Sequence, residues 1–268
     1  MDIPTGRCKT QVSGPFRQKW CPMMSSAVGI RSEWRQSADR ATRRLAAVTA
    51  AGGLLGLLVG GVGGRLAMFV LAAVNPEAAG VESDDGFVMG RFTMSGTLNL
   101  LLLGVFAGVL GGGIYYVLRG LMIGPRWFGI LSMSGGAAVV VGSMLVHSDG
   151  VDFTLLSPTY VPIAMFVAIP GIFVALLTLV AEPWLGPEGR FMRAPRTVAF
   201  APLLLWIPLA PLLAAIVVGW VIGACLRQFE SFRELLAQPL LPWMARLALT
   251  VFFVERSLAL TRDVTVLT

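Results

Sequence analysis

The chain has 268 residues, of which 56% are hydrophobic and 13% charged, and a mean hydropathy of +0.76. A soluble domain carries about 25% charged residues, so the composition excludes an ordinary globular domain and points to several bilayer-spanning segments. The net charge of +6 falls within residues 1–44, while the other 224 residues are neutral overall; the basic excess suits anionic headgroups and an orientation signal, and it lacks a nucleic-acid reading element.

Residues 1–38 mix charges with Gly, Pro and Ser and show no periodicity, which predicts disorder. The expected division is a basic cytoplasmic tail over 1–40 and a helical transmembrane domain over 41–268. No apolar run precedes the tail's end, so no cleavable secretory signal is expected. Met23 and Met24 leave a later start open. Cys8, Cys21 and Cys225 have neither disulfide nor zinc spacing. After Lys19 every basic side chain other than His147 is arginine, a coding bias that suggests a bacterial source.

The first apolar span is predicted over Leu45–Gly64, with its helix continuing to Val74 and stopped by Asn75-Pro76. Gly52, Gly56, Gly60 and Gly64 recur every four residues along it, and Gly104, Gly108 and Gly112 do the same in the second span, Thr97–Leu118. Residues four apart share a helix face. A smooth glycine face lets two backbones approach closely where water supplies no driving force, so a glycine zipper between helices is expected. Between these spans lies an acidic loop, with a short strand expected over Phe87–Met94.

A basic turn over Arg119–Arg126 leads to span three, Trp127–Val146, and a second acidic loop follows it. Ser157-Pro158 reads as a helix N-cap with proline at the first helical position. Span four is expected over Thr159–Ala181 with a kink at Pro170-Gly171, and Glu182–Arg196 forms the next loop. Span five, Val198–Leu226, should bend at Pro202, Pro208 and Pro211. A sixth span over Leu235–Val254 would hold Arg246 near mid-membrane, at a cost of about 2.5–3.5 kcal/mol unless it pairs or snorkels.

The fold class is therefore all-α, a polytopic bundle of five to six transmembrane helices. The distribution of Lys and Arg puts the N-terminus, the 119–126 turn and the 182–197 loop in the cytoplasm of a cell with the protein in its plasma (inner) membrane. The 75–96 and 147–158 loops face outward. A sixth span returns the C-terminus to the inside.

Candidate ligand- or partner-binding residues gather on the outer side. Arg65 follows the glycine ladder and can contact an anion or pair with an acid. Asp84 and Asp85, with Asp149 and Asp152 of the His147–Asp152 loop, supply oxygen ligands beside Asp-Gly turns. His147 is the lone histidine, which excludes bis-histidine haem and HExxH zinc chemistry. Ser134 and His147 sit about 20 Å apart on one helix by the helical rise, too far for a nucleophile–base pair. No catalytic residue, metal site or cofactor is indicated. The expected function is a non-enzymatic accessory or scaffold protein that binds a partner, ion or headgroup at its outer loops; the alternative is a small-solute channel or transporter. Expected partners are the lipid bilayer and either a membrane-protein partner or a second copy, not nucleic acid.

Overall fold

The computed structural model describes residues 21–78, 80–81, 88, 90–122, 124–146, 153, 156–186, 188–211, 214, 218, 222 and 240–267. The chain divides into two units, Met1–Thr42 and Arg43–Thr268. Helix α1 covers Cys21–Leu55, so helical backbone begins within the stretch expected to be disordered. In the first unit Thr42 donates its hydroxyl to the Ala38 carbonyl at 2.8 Å, a local bond that satisfies the side chain on its own turn.

In the second unit α1 passes into an eight-residue π-helical segment, Gly56–Gly63, and then α2, Gly64–Val74. Asn75 ends this rod as expected. It is followed by α3 (Met94–Leu118), α4 (Arg126–Leu145), α5 (Tyr160–Leu185), the short α6 (Arg190–Arg193) and α7 (Arg196–Phe200), a 3-10 helix over Ala201–Leu209, and α8 (Leu240–Leu267). Among the described residues, four stretches are long and apolar enough to cross a membrane: Gln36–Val74, Met94–Leu121, Arg126–Leu145 and Tyr160–Arg193. They match the first four spans read from the sequence, which exceed them by a single residue at Val146 and at Thr159. Their outward side chains, such as Leu66, Trp127 and Leu131, are more than 60% exposed, the pattern of rods that meet an apolar surrounding.

The bundle is organised on α1 and α3. A Cβ added to Gly52 would collide with the Gly108 carbonyl oxygen, and one on Gly108 with the Gly52 oxygen. Gly56 and Gly104 oppose each other the same way, and a Cβ on Gly112 would lie 2.6 Å from the Val48 oxygen. The two backbones touch with no side chain between them. Beyond Gly56 the contact leaves the four-residue ladder. A Cβ on Gly60 would have only Gly104 Cα within reach, at 3.4 Å, whereas Gly61 faces Leu101 Cα at 3.0 Å and lies against Gly104. The π segment explains the shift. Its hydrogen bonds span five residues rather than four, so the buried stripe runs through Gly52, Gly56, Gly61 and then Arg65.

Helix α5 packs on the other side of this pair. Ala47, Val48, Ala51, Leu55 and Tyr115 form one core with Leu177, Ala181 and Leu185. α4 lies along α5, where Gly171 brings α5 close to Ala138, a Cβ there falling 3.1 Å from the Ala138 Cβ. The 3-10 helix docks through Trp206, whose indole N–H donates to the Thr49 hydroxyl at 3.0 Å. Nine residues is long for a 3-10 helix; Pro202 and Pro208 lack the N–H that a regular α-helix would need there.

Further expectations change. α5 starts at Tyr160, after a cis Ser157–Pro158 peptide, rather than at Pro158. It also continues through Glu182 to Leu185 instead of ending at Ala181. Helix α8 begins beside the 119–126 turn, where Arg246 Nε donates to the Leu121 carbonyl at 2.9 Å. It ends where Leu260, Val264 and Leu267 pack against Val146, Phe153 and Ile163. It therefore runs parallel to α4, opposite in sense to the sixth span read from the sequence, and its C-terminal end lies beside the 147–158 segment. Most of residues 212–239, the return path on which that reading depended, lie outside the described residues. Of the strand expected over Phe87–Met94, only Phe87 and Met89 lie outside them; the described remainder forms no strand, with Val88 a single bridge position and Met94 already the first residue of α3.

Overpacking a tight interior contact costs about 1–3 kcal/mol. Gly56→Ala is therefore expected to lower thermal stability in detergent micelles by about that amount, while Gly60→Ala, in the looser register, changes it by well under 1 kcal/mol. Equal effects at the two positions would contradict the π-shifted contact.

Candidate functional site

Of the residues singled out in the outer loops, Asp84, Asp85, His147, Asp149 and Asp152 lie outside the described residues. Arg65 is described. The π segment turns it onto the buried stripe, and it is 7% exposed. Its Nη2 donates to the Arg91 carbonyl at 2.5 Å, and its guanidinium carbon lies 5.6 Å from the centre of the Phe69 ring. Nη1 makes a weak 3.9 Å contact to the Met68 sulfur, and Nε has no hydrogen-bond partner among the described residues. This guanidinium ties α2 to the segment that enters α3. At the same end, Asn75 accepts from the Ser157 backbone N–H at 2.8 Å and donates to the Leu71 carbonyl at 3.2 Å.

Polar side chains from separate helices converge instead at the opposite end. Tyr115 lies three residues beyond the last glycine of the α3 ladder, so the close approach of α1 and α3 buries it to 3% exposure. Its hydroxyl donates to Glu182 Oε1 at 2.7 Å. One turn on, Arg119 donates Nη2 to Glu182 Oε2 at 3.3 Å. The two side chains of this ion pair are 33% and 30% exposed, so water screens the pair and its main effect is to fix geometry. The Tyr115 bond is sheltered and charge-assisted, the stronger kind. Together these partners let α5 carry a carboxylate in its last turn, which is why the helix does not stop before Glu182.

Beside them a recess of about 260 Å³ opens between α3, α4 and α5. Tyr115, Arg119, Thr178 and Glu182 form its polar wall, and Met133 part of its apolar one. Arg126, the first residue of α4, stands at its edge. Arg126 is exposed, and among the described residues it has no hydrogen bond or ion pair. At the start of α4 the Phe128 and Gly129 N–H groups donate to the Pro125 carbonyl, which leaves those of Arg126 and Trp127 without an intrahelical acceptor. Two guanidiniums against one carboxylate leave the recess with a surplus of one positive charge. Nearby, Arg43 Nη1 donates to the carbonyls of Ala194 at 2.7 Å and Phe191 at 3.1 Å, which satisfies the end of α6 and holds the chain after α5 against α1.

The sequence reading missed this cluster. It placed Arg119 and Glu182 in two loops on the same side of the membrane, and nothing in their spacing joins them. One signal was present. Tyr115 and Arg119 are four apart and follow directly on the glycine face, so both had to project toward whatever packs there.

A hydrogen bond to a charged group contributes about 1.5–3 kcal/mol. Tyr115→Phe should destabilise the protein by about that amount in thermal unfolding, and a double-mutant cycle with Glu182→Gln should show the two effects to be coupled; additive losses would disprove the contact. No protein-family model, curated protein or solved structure matches the chain, so the reading of its function rests on this geometry.

Proposed function

We propose that the chain is a multi-pass helical membrane protein that acts by binding rather than by catalysis, and that the recess between α3, α4 and α5 holds the phosphate of an anionic lipid headgroup. The observation that carries this reading is Arg126, a guanidinium at the rim of a polar recess with no partner of its own among the described residues. A phosphate seated there would accept from Arg126, from the outer edge of Arg119 and from the first two N–H groups of α4. Glu182 and Tyr115 hold Arg119 in place and leave one net positive charge, which suits a phosphodiester. The apolar wall formed by Met122, Ile130 and Met133 gives the first carbons of a lipid a surface to follow.

The depth of the recess supports a headgroup over a solute deep in the bundle. It lies at the end that carries Arg43, Arg44, Arg119, Arg126, Arg190, Arg193 and Arg196, against Glu182 and Glu188. By the excess of arginine this end is cytoplasmic, in a plasma membrane whose inner leaflet is anionic. On this reading the chain is an accessory or scaffold protein whose headgroup contact is on the inner face, rather than at the outer loops.

The test is native mass spectrometry of the protein in nanodiscs that contain phosphatidylglycerol or phosphatidylcholine, with inorganic phosphate as a competitor. Preferential retention of phosphatidylglycerol, reduced about tenfold or more by Arg126→Gln through loss of one charge-assisted bond, is expected. Equal retention of both lipids, or an unaffected Arg126→Gln protein, would overturn the proposal. Displacement by phosphate alone would identify free phosphate rather than lipid as the ligand. Solute flux through liposomes that contain the purified protein would favour the transporter alternative.

A further inference from the structure

Helix α8 carries two acid–base neighbours, Glu255-Arg256 and Arg262-Asp263, seven residues apart. Two turns of helix separate them, so the two dyads lie nearly one above the other. No opposite charge stands three or four residues from any of the four, where a helix could neutralise it internally. Among the described residues none of them forms an ion pair. Glu255 and Arg262 are exposed, and Arg256 and Asp263 half-buried. The Arg256 guanidinium carbon lies 5.3 Å from the centre of the Phe252 ring, and its Nε is shielded without a hydrogen-bond partner.

Their depth makes these charges expensive. α8 lies along α4, held at one end by Arg246 and at the other by Leu260, Val264 and Leu267. Glu255 and Arg256 come nine and ten residues after Arg246, about 15 Å further along. That is level with the middle of α4, itself one of the stretches apolar enough to cross a membrane. A lone charge there costs about 2.5–3.5 kcal/mol. Nine residues also carry Glu255 half a turn beyond Arg246, onto the face turned away from α4.

We infer that this face of α8 docks against α8 of a second copy of the chain, parallel to it, across a two-fold axis along the helices. A two-fold interface is self-complementary: residue i meets j, and j meets i. In a parallel pair, residues of equal height face each other, so Glu255 of one copy meets Arg256 of the other and the reverse, with Arg262 and Asp263 pairing likewise one level away. All four charges gain partners, and the Ala259 side chains between the two levels leave room for the helices to approach. The opposite sense is disfavoured by the same residues. The segment Glu255–Asp263 reads nearly the same in both directions about Ala259. An antiparallel pair in that register would set Glu255 against Asp263 and Arg256 against Arg262, like against like. The contact is independent of the headgroup recess.

The test uses full-length protein labelled with donor or acceptor and reconstituted in lipid vesicles, with energy transfer followed as lipid dilutes protein. Wild type should associate. The double variants Glu255→Arg/Asp263→Arg and Arg256→Glu/Arg262→Glu should each self-associate at least tenfold more weakly, and an equimolar mixture of the two should recover transfer. Recovery on mixing requires both to be folded. The complete exchange Glu255→Arg/Arg256→Glu/Arg262→Asp/Asp263→Arg keeps the complementarity and should associate like wild type. A monomeric wild type, undiminished association of either double variant, or a failed mixture beside a competent exchange variant would overturn the inference.

Discussion

Gly52 and Gly56 meet Gly104 and Gly108 backbone to backbone, and the positions of the other elements follow from that contact. Each glycine directs a Cα–H at a carbonyl oxygen of the opposing helix, and the exchange is reciprocal at Gly52–Gly108 and Gly56–Gly104. Such contacts contribute about 0.5–1 kcal/mol each. Their larger effect is geometric. A pair of helices this close presents one continuous surface, and the small side chains Ala47 and Ala51 on it let α5 seat Leu177, Ala181 and Leu185 against the pair. With α5 fixed, Glu182 stands opposite Tyr115 and Arg119. The recess is thus a product of glycines more than one helical turn away from it.

How far the sequence could be read depended on the range of the physics involved. Apolar run length is a local property, and it placed the first four spans and Asn75 as a stop; the four-residue ladder expected along the first span departs from the contact at Gly60 and Gly64, because the π segment brings Gly61 and Arg65 there instead. The helix end at Glu182 was misjudged because a carboxylate is a poor guest for an apolar span only when it is alone, and its partners lie in a different helix. The sense of α8 was misjudged for a related reason. Alternation of spans assumes that each link crosses once, and the bond from Arg246 to Leu121 shows α8 starting beside α4 rather than returning toward the first end. The Tyr115–Glu182 bond, whose partners are 67 positions apart, has no signature in residue spacing at all.

Charge is sorted along the bundle. Arginines crowd the end where α3 finishes and α4 begins, and several are engaged: Arg43 with carbonyls, Arg119 with Glu182, Arg246 with Leu121. Arg65, at the far end, is bound to a carbonyl rather than an acid. At Arg43 and Arg246 the guanidinium meets backbone oxygens left over at the ends of helical segments, where it compensates the partial negative charge of the last carbonyls. Arginine suits this role because its fork of donors serves several oxygens at once, as Arg43 does.

The π segment has a consequence for how this rod can move. Interconversion between five-residue and four-residue hydrogen bonding cannot proceed by degrees; it inserts or removes one whole position from the packed stripe, and everything downstream turns by about 100°. In the four-residue state Gly60 and Gly64 would replace Gly61 and Arg65 against α3, and the Arg65 guanidinium would swing away from the Arg91 carbonyl. The register of the first span is thus a choice between whole positions, and the Arg65 bond to the Arg91 carbonyl belongs to the five-residue one.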